Sequence, residues 1–239
     1  MIDNHSHTLR PGAVFNIDPA TLLPAERVLR HGMLYSVGIH PWNASCATAT
    51  DFREVMAMAA SPRVVAIGET GLDTVHQGYE WIDLPGGGKE IVQCIPSLER
   101  QMEVLDFHIR LSERLRKPLL LHIVKRYPEI IRLRNKLKPS QPWIIHGFRG
   151  KPGLAQDLLK FGFMLSYGER FNPLSVAVTP PGRMLVETDE SHMPVPVIAR
   201  AIGVGATVTL PALCRTEHPG ITLQPGKLGA FDGRVAENT

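Results

Sequence analysis

The chain has 239 residues, 44% hydrophobic and 21% charged, an ordinary composition for a globular protein that buries a sizeable core in one large domain or two small ones. With 26 Lys and Arg against 23 acids the net charge is +3, too small for charge alone to imply a nucleic-acid partner. Three cysteines, Cys46, Cys94 and Cys214, show no Cys-x-x-Cys spacing, which excludes a disulfide framework and fits a reducing compartment.

The chain opens Met-Ile-Asp-Asn-His, without a basic stretch or a long apolar run, so neither a signal peptide nor a membrane span is expected and a cytoplasmic location is predicted. Met1–His7 delivers His5 and His7 with one residue between them. On an extended chain residues two apart point to the same side, so both imidazoles can reach one ion. Ala13–Ile17 reads as a second short strand, followed by a turn-rich piece ending in Glu26–His31. Leu34–Ile39 is a third apolar run and ends on His40. Asp51 and Glu54 read as a capping box opening a helix through Ala60, which Pro62 stops. Val64–Asp73 then runs from small or β-branched apolar residues straight into Gly68 and Glu69, the pattern of a strand buried on both faces. A lone carboxylate buried there is costly unless a cation or hydrogen-bond donors meet it.

Thr74–Ile95, with Gly86, Gly87 and Gly88 inside it, is longer than an ordinary connector and reads as a lid or mobile excursion. Ser97 caps a helix with Leu98, Met102, Leu105 and Ile109 on one stripe, ended by Pro118. Leu119–Val124 is the fifth strand and carries His122; Pro128–Lys138 follows as a helix with Ile130, Leu133 and Leu137 inward. Trp143–His146 is the sixth strand, followed by the turn Gly147–Gly150. A helix then opens at Pro152, with Gly162 as the residue past its end, and Phe163–Tyr167 is the seventh strand. Met184–Asp189 is the eighth strand and ends in acids. Ten of the 26 Lys and Arg fall between Arg110 and Lys138, against Glu113 and Glu129, and most read as solvated outer faces of helices. Eight strands, most separated by helical patterns, predict an α/β fold, a (β/α)8 TIM-type barrel. From Gly203 the chain turns Gly/Pro-rich, and no amphipathic helix is predicted from there to Thr239. The outer helix after the eighth strand is thus expected to be missing, shortened or replaced, and the chain divides into a barrel, 1–202, and an atypical tail, 203–239.

In such a barrel the C-terminal strand ends converge on the catalytic face. Here they deliver His5, His7, His40, Glu69, His122, His146 and Asp189. Imidazoles with carboxylates favour zinc, manganese or magnesium, and a carboxylate from a middle strand can bridge two ions about 3.5–4 Å apart.

The pieces Ile2-Asp3-Asn4-His5-Ser6-His7, Gly38-Ile39-His40-Pro41, Ile67-Gly68-Glu69-Thr70-Gly71-Leu72-Asp73, Gln101, Leu121-His122, His146-Gly147-Phe148-Arg149-Gly150 and Glu187-Thr188-Asp189 together resemble the TatD family of metal-dependent hydrolases, within the amidohydrolase-like barrels. The resemblance runs from residue 1 to about 190 and implies a deoxyribonuclease-like activity with two divalent ions, Mg2+, Mn2+ or Zn2+. It implies that His5, His7 and Asp189 hold one ion, that His122 and His146 hold the other, and that Glu69 bridges them; His40 would lie towards the substrate phosphate. The expected reaction is metal-assisted hydrolysis of DNA or a small phosphodiester by a monomer. In it Glu69 and Asp189 are catalytic, and Asp189 accepts the proton of the attacking water. Glu187, two residues before Asp189, is placed to orient a ligand histidine, and Lys125, Arg126 and Arg149 to meet a phosphate backbone. The chain departs from the family in a short segment between the first and third strands, in Lys125-Arg126 after His122, and in the tail. Two alternatives stand beside this reading: an amidase, lactonase or deacylase of the wider superfamily, or a metal-binding scaffold without activity.

Overall fold

The computed structural model of the chain describes residues 1–21, 27–84, 87–205 and 207–214. Its first strands are β1 (Asp3–Ser6), β2 (Ala13–Ile17), β3 (Leu34–Val37) and β4 (Val64–Asp73), with helix α1 (Ala49–Ala59) before β4. A hairpin of β5 (Gly78–Asp83) and β6 (Lys89–Cys94) follows, then α2 (Leu98–Leu115), β7 (Leu119–Val124), α3 (Tyr127–Leu137), β8 (Trp143–Ile145), α4 (Pro152–Lys160) and β9 (Met164–Tyr167). Short α5 (Pro173–Ala177), β10 (Met184–Val186), α6 (Val195–Ile202) and α7 (Leu210–Leu213) complete the described chain.

Eight strands pair side by side in the order β1-β2-β3-β4-β7-β8-β9-β10, every pair parallel. The ends of this sheet meet at a parallel bridge between Ser6 and Asp189, where the Asp189 N–H donates to the His5 carbonyl and the His7 N–H to the Asp189 carbonyl. The result is a nearly closed (β/α)8 barrel, and all eight predicted strands are in it. Alternation along the strands sorts the core into two layers. Val14, Val65, Leu120, Ile144, Met164 and Leu185 cluster together inside the barrel, while Ile17, Val64, Leu119, Leu121, Ile145 and Leu165 belong to the larger layer under the helices.

Two expectations change, and a third is resolved. The capping box sits three residues earlier than Asp51–Glu54: Thr48 is the cap, its hydroxyl accepts from the Asp51 N–H, and Asp51 accepts from the Thr48 N–H. Within Thr74–Ile95 the chain forms an antiparallel hairpin in register Tyr79 with Gln93 and Trp81 with Ile91; Gly86, like Glu26 at the start of the expected turn, lies outside the described residues. The barrel's last strand is also covered. Met184 and Val186 are buried in one layer with Val195, Ile198, Ala199 and Ile202 of α6, a shortened outer helix, while Leu185 is buried in the barrel interior. Of the expected tail, the described stretch 207–214 packs on the barrel: the Val208 N–H donates to the Met184 carbonyl, and Leu210 joins the interior cluster and closes the barrel floor. Residues 215–239 of that tail lie outside the described residues.

Candidate metal centre

Glu69 stands at the middle of the barrel mouth, fully enclosed, in the glycine-flanked end of β4. The strand runs against its neighbour so closely that a Cβ on Gly71, whose φ is +152°, would lie 1.9 Å from the His122 carbonyl oxygen. The two carboxylate oxygens face different sets of imidazoles. Glu69 Oε2 lies 3.3 Å from His5 Nε2 and 3.5 Å from His7 Nε2, both from β1 and its exit. Glu69 Oε1 lies 2.9 Å from His122 Nδ1, 2.7 Å from His146 Nε2 and 3.1 Å from His40 Nε2. Asp189, held at φ 55° at the barrel seam, completes the first set: its Oδ1 is 3.7 Å from His5 Nε2 and 3.6 Å from His7 Nε2. Burial alone would raise the Glu69 carboxyl, but the charge of His146 and hydrogen bonds from His122 and His146 hold it well below the ordinary carboxylate range.

Neighbouring groups orient the imidazoles. His122 Nε2 lies 3.2 Å from the Asp73 carboxylate, which accepts only and so holds the Nε2 hydrogen; a cation at the centre would then meet the Nδ1 lone pair. Glu187 stands 3.4 Å behind His146 Nδ1 and leaves Nε2 facing Glu69; Glu187 is itself fixed by the Gly147 N–H at 2.6 Å and by the Ser166 hydroxyl. His40 is set the opposite way. Its Nδ1 accepts from the Trp42 N–H, so neutral His40 presents Nε2–H, a donor, and burial keeps it neutral with a pKa lowered to about 4. His122 Nδ1 and His146 Nε2 thus face the centre, and His40 presents a donor.

Sequence reasoning assigned no role to Asp73, Asn16, Asp18 or Trp42. Asp73 accepts from Trp42 Nε1 at 2.8 Å, His122 Nε2, His76 Nδ1 at 2.7 Å and the backbone of Val75 and His76. Burial opposes its charge, but these donors hold its pKa well below the usual value. Asn16 accepts from the Glu69 N–H at 2.9 Å and from Ser36. Asp18 accepts from the His40 N–H at 2.9 Å and from Asn43, and burial raises its pKa to about 6. Asn16 and Asp18 obey the same rule that exposed the other site residues, polar groups two apart where an apolar strand leaves the core.

The basic candidates lie further out. Lys125 is exposed at the end of β7. Arg126 is engaged at the root of the hairpin segment, donating to Thr74 Oγ1 at 2.7 Å and to Glu129 at 3.2 Å. Arg149 is exposed and lines a cleft of about 210 Å3 beside Asp189.

The centre fits a cation. His5 Nδ1, His5 Nε2 and Glu69 Oε2 are buried with no hydrogen-bond partner among the described residues, and each such group costs about 1–3 kcal/mol if left so. His122 Nδ1 and His146 Nε2 face each other at 3.1 Å, which a proton or a cation must relieve. Their mixture of imidazole nitrogen and carboxylate oxygen is a ligand set for a borderline divalent metal.

A family model described as TatD related DNase matches residues 14–200 of the chain. The chain belongs to this TatD family. The uncharacterized metal-dependent hydrolase TatD of Mycobacterium tuberculosis is 28% identical over 165 residues, covering 66% of this chain and 58% of the relative, so the match spans little more than half of that protein's length. The human 3'-5' RNA nuclease TATDN2 is 25% identical over 219 residues, covering 86% of this chain and 25% of that one. Among solved structures, the TatD homologue YjjV of Escherichia coli K12 shares the fold, with a TM-score of 0.61 at 19% identity, covering 85% of this chain and 74% of that one. This TatD-family chain has, among its described residues, no helix long and apolar enough to cross a membrane.

Proposed function

We propose that the chain hydrolyses phosphodiester bonds of nucleic acid with two divalent ions. The observation that carries this is the division of imidazoles between the two oxygens of one buried carboxylate, His5 and His7 on Oε2, His122 and His146 on Oε1. His5, His7 and Asp189 would hold one ion, His122 and His146 the other, and Glu69 would serve both. Bound there, the ions supply Lewis-acid polarisation of a phosphoryl oxygen and a nucleophile at neutral pH. Asp189 accepts the proton of the attacking water; its side chain is partly exposed on the cleft, whereas Glu69 and Glu187 are buried. His40 donates Nε2–H to a phosphate oxygen, and Asp18 and Trp42 fix it for that task. Exposed Lys125 adds positive charge at the rim. The nucleic-acid substrate is supported by the family and by the nuclease among its members.

The test is hydrolysis of oligonucleotides, bis(p-nitrophenyl) phosphate, and simple amide and lactone substrates, with metal and with EDTA. Expected is EDTA-sensitive cleavage of the phosphodiesters, and a fall of at least ~10²-fold in Asp189→Asn, which keeps size and removes the proton acceptor. Turnover of amides or lactones alone would replace this function with the superfamily alternative. No turnover of any substrate by metal-loaded protein would leave a scaffold.

A further inference from the structure

One wall of the cleft beside Asp189 is built from turns at adjacent barrel positions, one after β8 and one after β9; the first is tied to β9 where the Phe148 N–H donates to the Ser166 carbonyl at 2.9 Å. Arg149 comes from the first turn and Arg170 from the second; both line the cleft and both are exposed. Neither forms an ion pair among the described residues, although other arginines of the chain do: Arg10 with Asp3, Arg100 with Glu103, Arg126 with Glu129. Acidic neighbours are not lacking, but most are committed elsewhere. Glu169 accepts from the Ser191 hydroxyl at 2.6 Å, Glu187 from Gly147 and Ser166, and Asp189 faces His5 and His7; only Glu190 stands exposed on the same cleft without such a task. Two guanidinium groups are therefore open to solvent along a cleft that reaches Asp189.

We propose that Arg149 and Arg170 clamp the phosphate next to the bond that is cut, so that the substrate is a phosphodiester chain carrying at least two phosphates and not an isolated diester; the inference rests on the phosphodiester function proposed above. A guanidinium offers a planar fork of donors that matches two oxygens of a phosphate, and two of them on adjacent turns approach one phosphate from different sides. The size of the cleft agrees. At about 210 Å3 it falls below the roughly 300–1,000 Å3 of pockets that enclose a whole small ligand, and it suits a segment of a longer chain passing the site. Arg170 is the discriminating residue, since its turn, after the seventh barrel strand, carries none of the proposed ligands of the metal centre.

The experiment has a binding arm and a hydrolysis arm. In the first, a fluorescein-labelled oligothymidylate tetramer is titrated in EDTA and followed by anisotropy. Arg170→Ala is expected to weaken binding about tenfold and to reduce the dependence of log affinity on log salt by about 0.7, the share of one phosphate contact on a single strand. In the second arm, kcat/KM is measured with metal on the tetramer and on bis(p-nitrophenyl) phosphate. The ratio of the two is expected to fall about tenfold in Arg170→Ala, through KM, and to recover in part in Arg170→Lys. Unchanged affinity and an unchanged ratio would overturn the clamp, and so would an equal loss on both substrates. Cleavage of bis(p-nitrophenyl) phosphate without tetramer binding by the unaltered protein would remove the clamp and keep the diesterase. Arg170-dependent binding without cleavage of either diester would do the reverse.

Discussion

Single residues at the mouth work in layers, and Asp73 shows the consequence. Its carboxylate holds the Nε2 hydrogen of His122 and at the same time anchors Trp42 and His76. Asp73→Asn keeps the shape but offers a neutral amide in place of the anion, so His122 loses the partner that turns Nδ1 inward. Metal affinity on the His122/His146 side is expected to fall ~10–100-fold, the usual cost of losing such a partner, with the His5/His7 side unchanged; stepwise calorimetric metal titration reads both. A loss of equal size on both sides would show that Asp73 acts on the whole mouth. A second residue, His108, supports the centre from α2: its Nε2 accepts from the Ile39 N–H at 3.0 Å, one residue before His40, and its Nδ1 donates to the Val104 carbonyl. Burial lowers its pKa from 6.5 to about 4 in the folded protein. Between these values the unfolded chain binds a proton that the folded chain refuses, so stability falls as pH drops through that window, by on the order of 3 kcal/mol. His108→Gln supplies one donor and one acceptor without titrating. Its unfolding free energy, measured at pH 7 and at pH 4.5, should change less than that of the unaltered protein.

Elements explain which parts of the molecule could be read from sequence. Each barrel strand is a short apolar run with its own signal, and the proposed ligands stand along or at the exits of those runs, so the barrel and the meeting of His5, His7, Glu69, His122, His146 and Asp189 at its mouth were legible locally. Asp73 was not, because its partners Trp42, His76 and His122 come from three separate segments. Neither was the hairpin: Tyr79, Trp81 and Ile91 share one of its faces, but Ile82 stands on the other and both faces are exposed, so no clean alternation marks it. Helix α6 escaped because Pro194 and Pro196 sit at its start and its eight residues are too few for a periodic stripe. The hairpin's root is tightly set. A Cβ on Gly78 would lie 1.8 Å from the Trp42 carbonyl oxygen, beside the turn that carries His40. Gly78→Ala should therefore push the hairpin off this turn and destabilise the metal-free protein by on the order of 2 kcal/mol in urea unfolding. A variant as stable as the parent would mean that the hairpin shifts freely on its base.

For the molecule as a whole, the seam between β10 and β1 is the weak line of the barrel. Every other neighbouring pair shares a ladder, whereas these two meet at the Ser6–Asp189 bridge and are otherwise joined by side chains. Asp3 accepts from the Thr188 N–H at 2.9 Å and from its hydroxyl at 2.7 Å, with Arg10 paired to the same carboxylate. Asn4 ties three elements together: its amide donates to the Val186 carbonyl at 2.9 Å and accepts from the Leu210 N–H at 2.8 Å, which joins the seam to the helix on the barrel floor. The first ion's proposed ligands, His5, His7 and Asp189, are all on these two seam strands or their exits, while His122 lies in β7 and His146 follows β8, on the far side. Asn4→Ala deletes both fully buried side-chain bonds and leaves the Leu210 N–H without its acceptor, which should cost about 1–3 kcal/mol. Loosening the seam displaces Asp189 relative to His5 and His7, so affinity for the first ion should fall before affinity for the second. Calorimetric titration of Asn4→Ala should show the two binding steps drawn apart, and hydrogen exchange at the His7 and Asp189 amides should rise above that at His146. Equal weakening of both steps, with no change in exchange at those amides, would mean that the bridge at Ser6 and Asp189 holds the seam without Asn4.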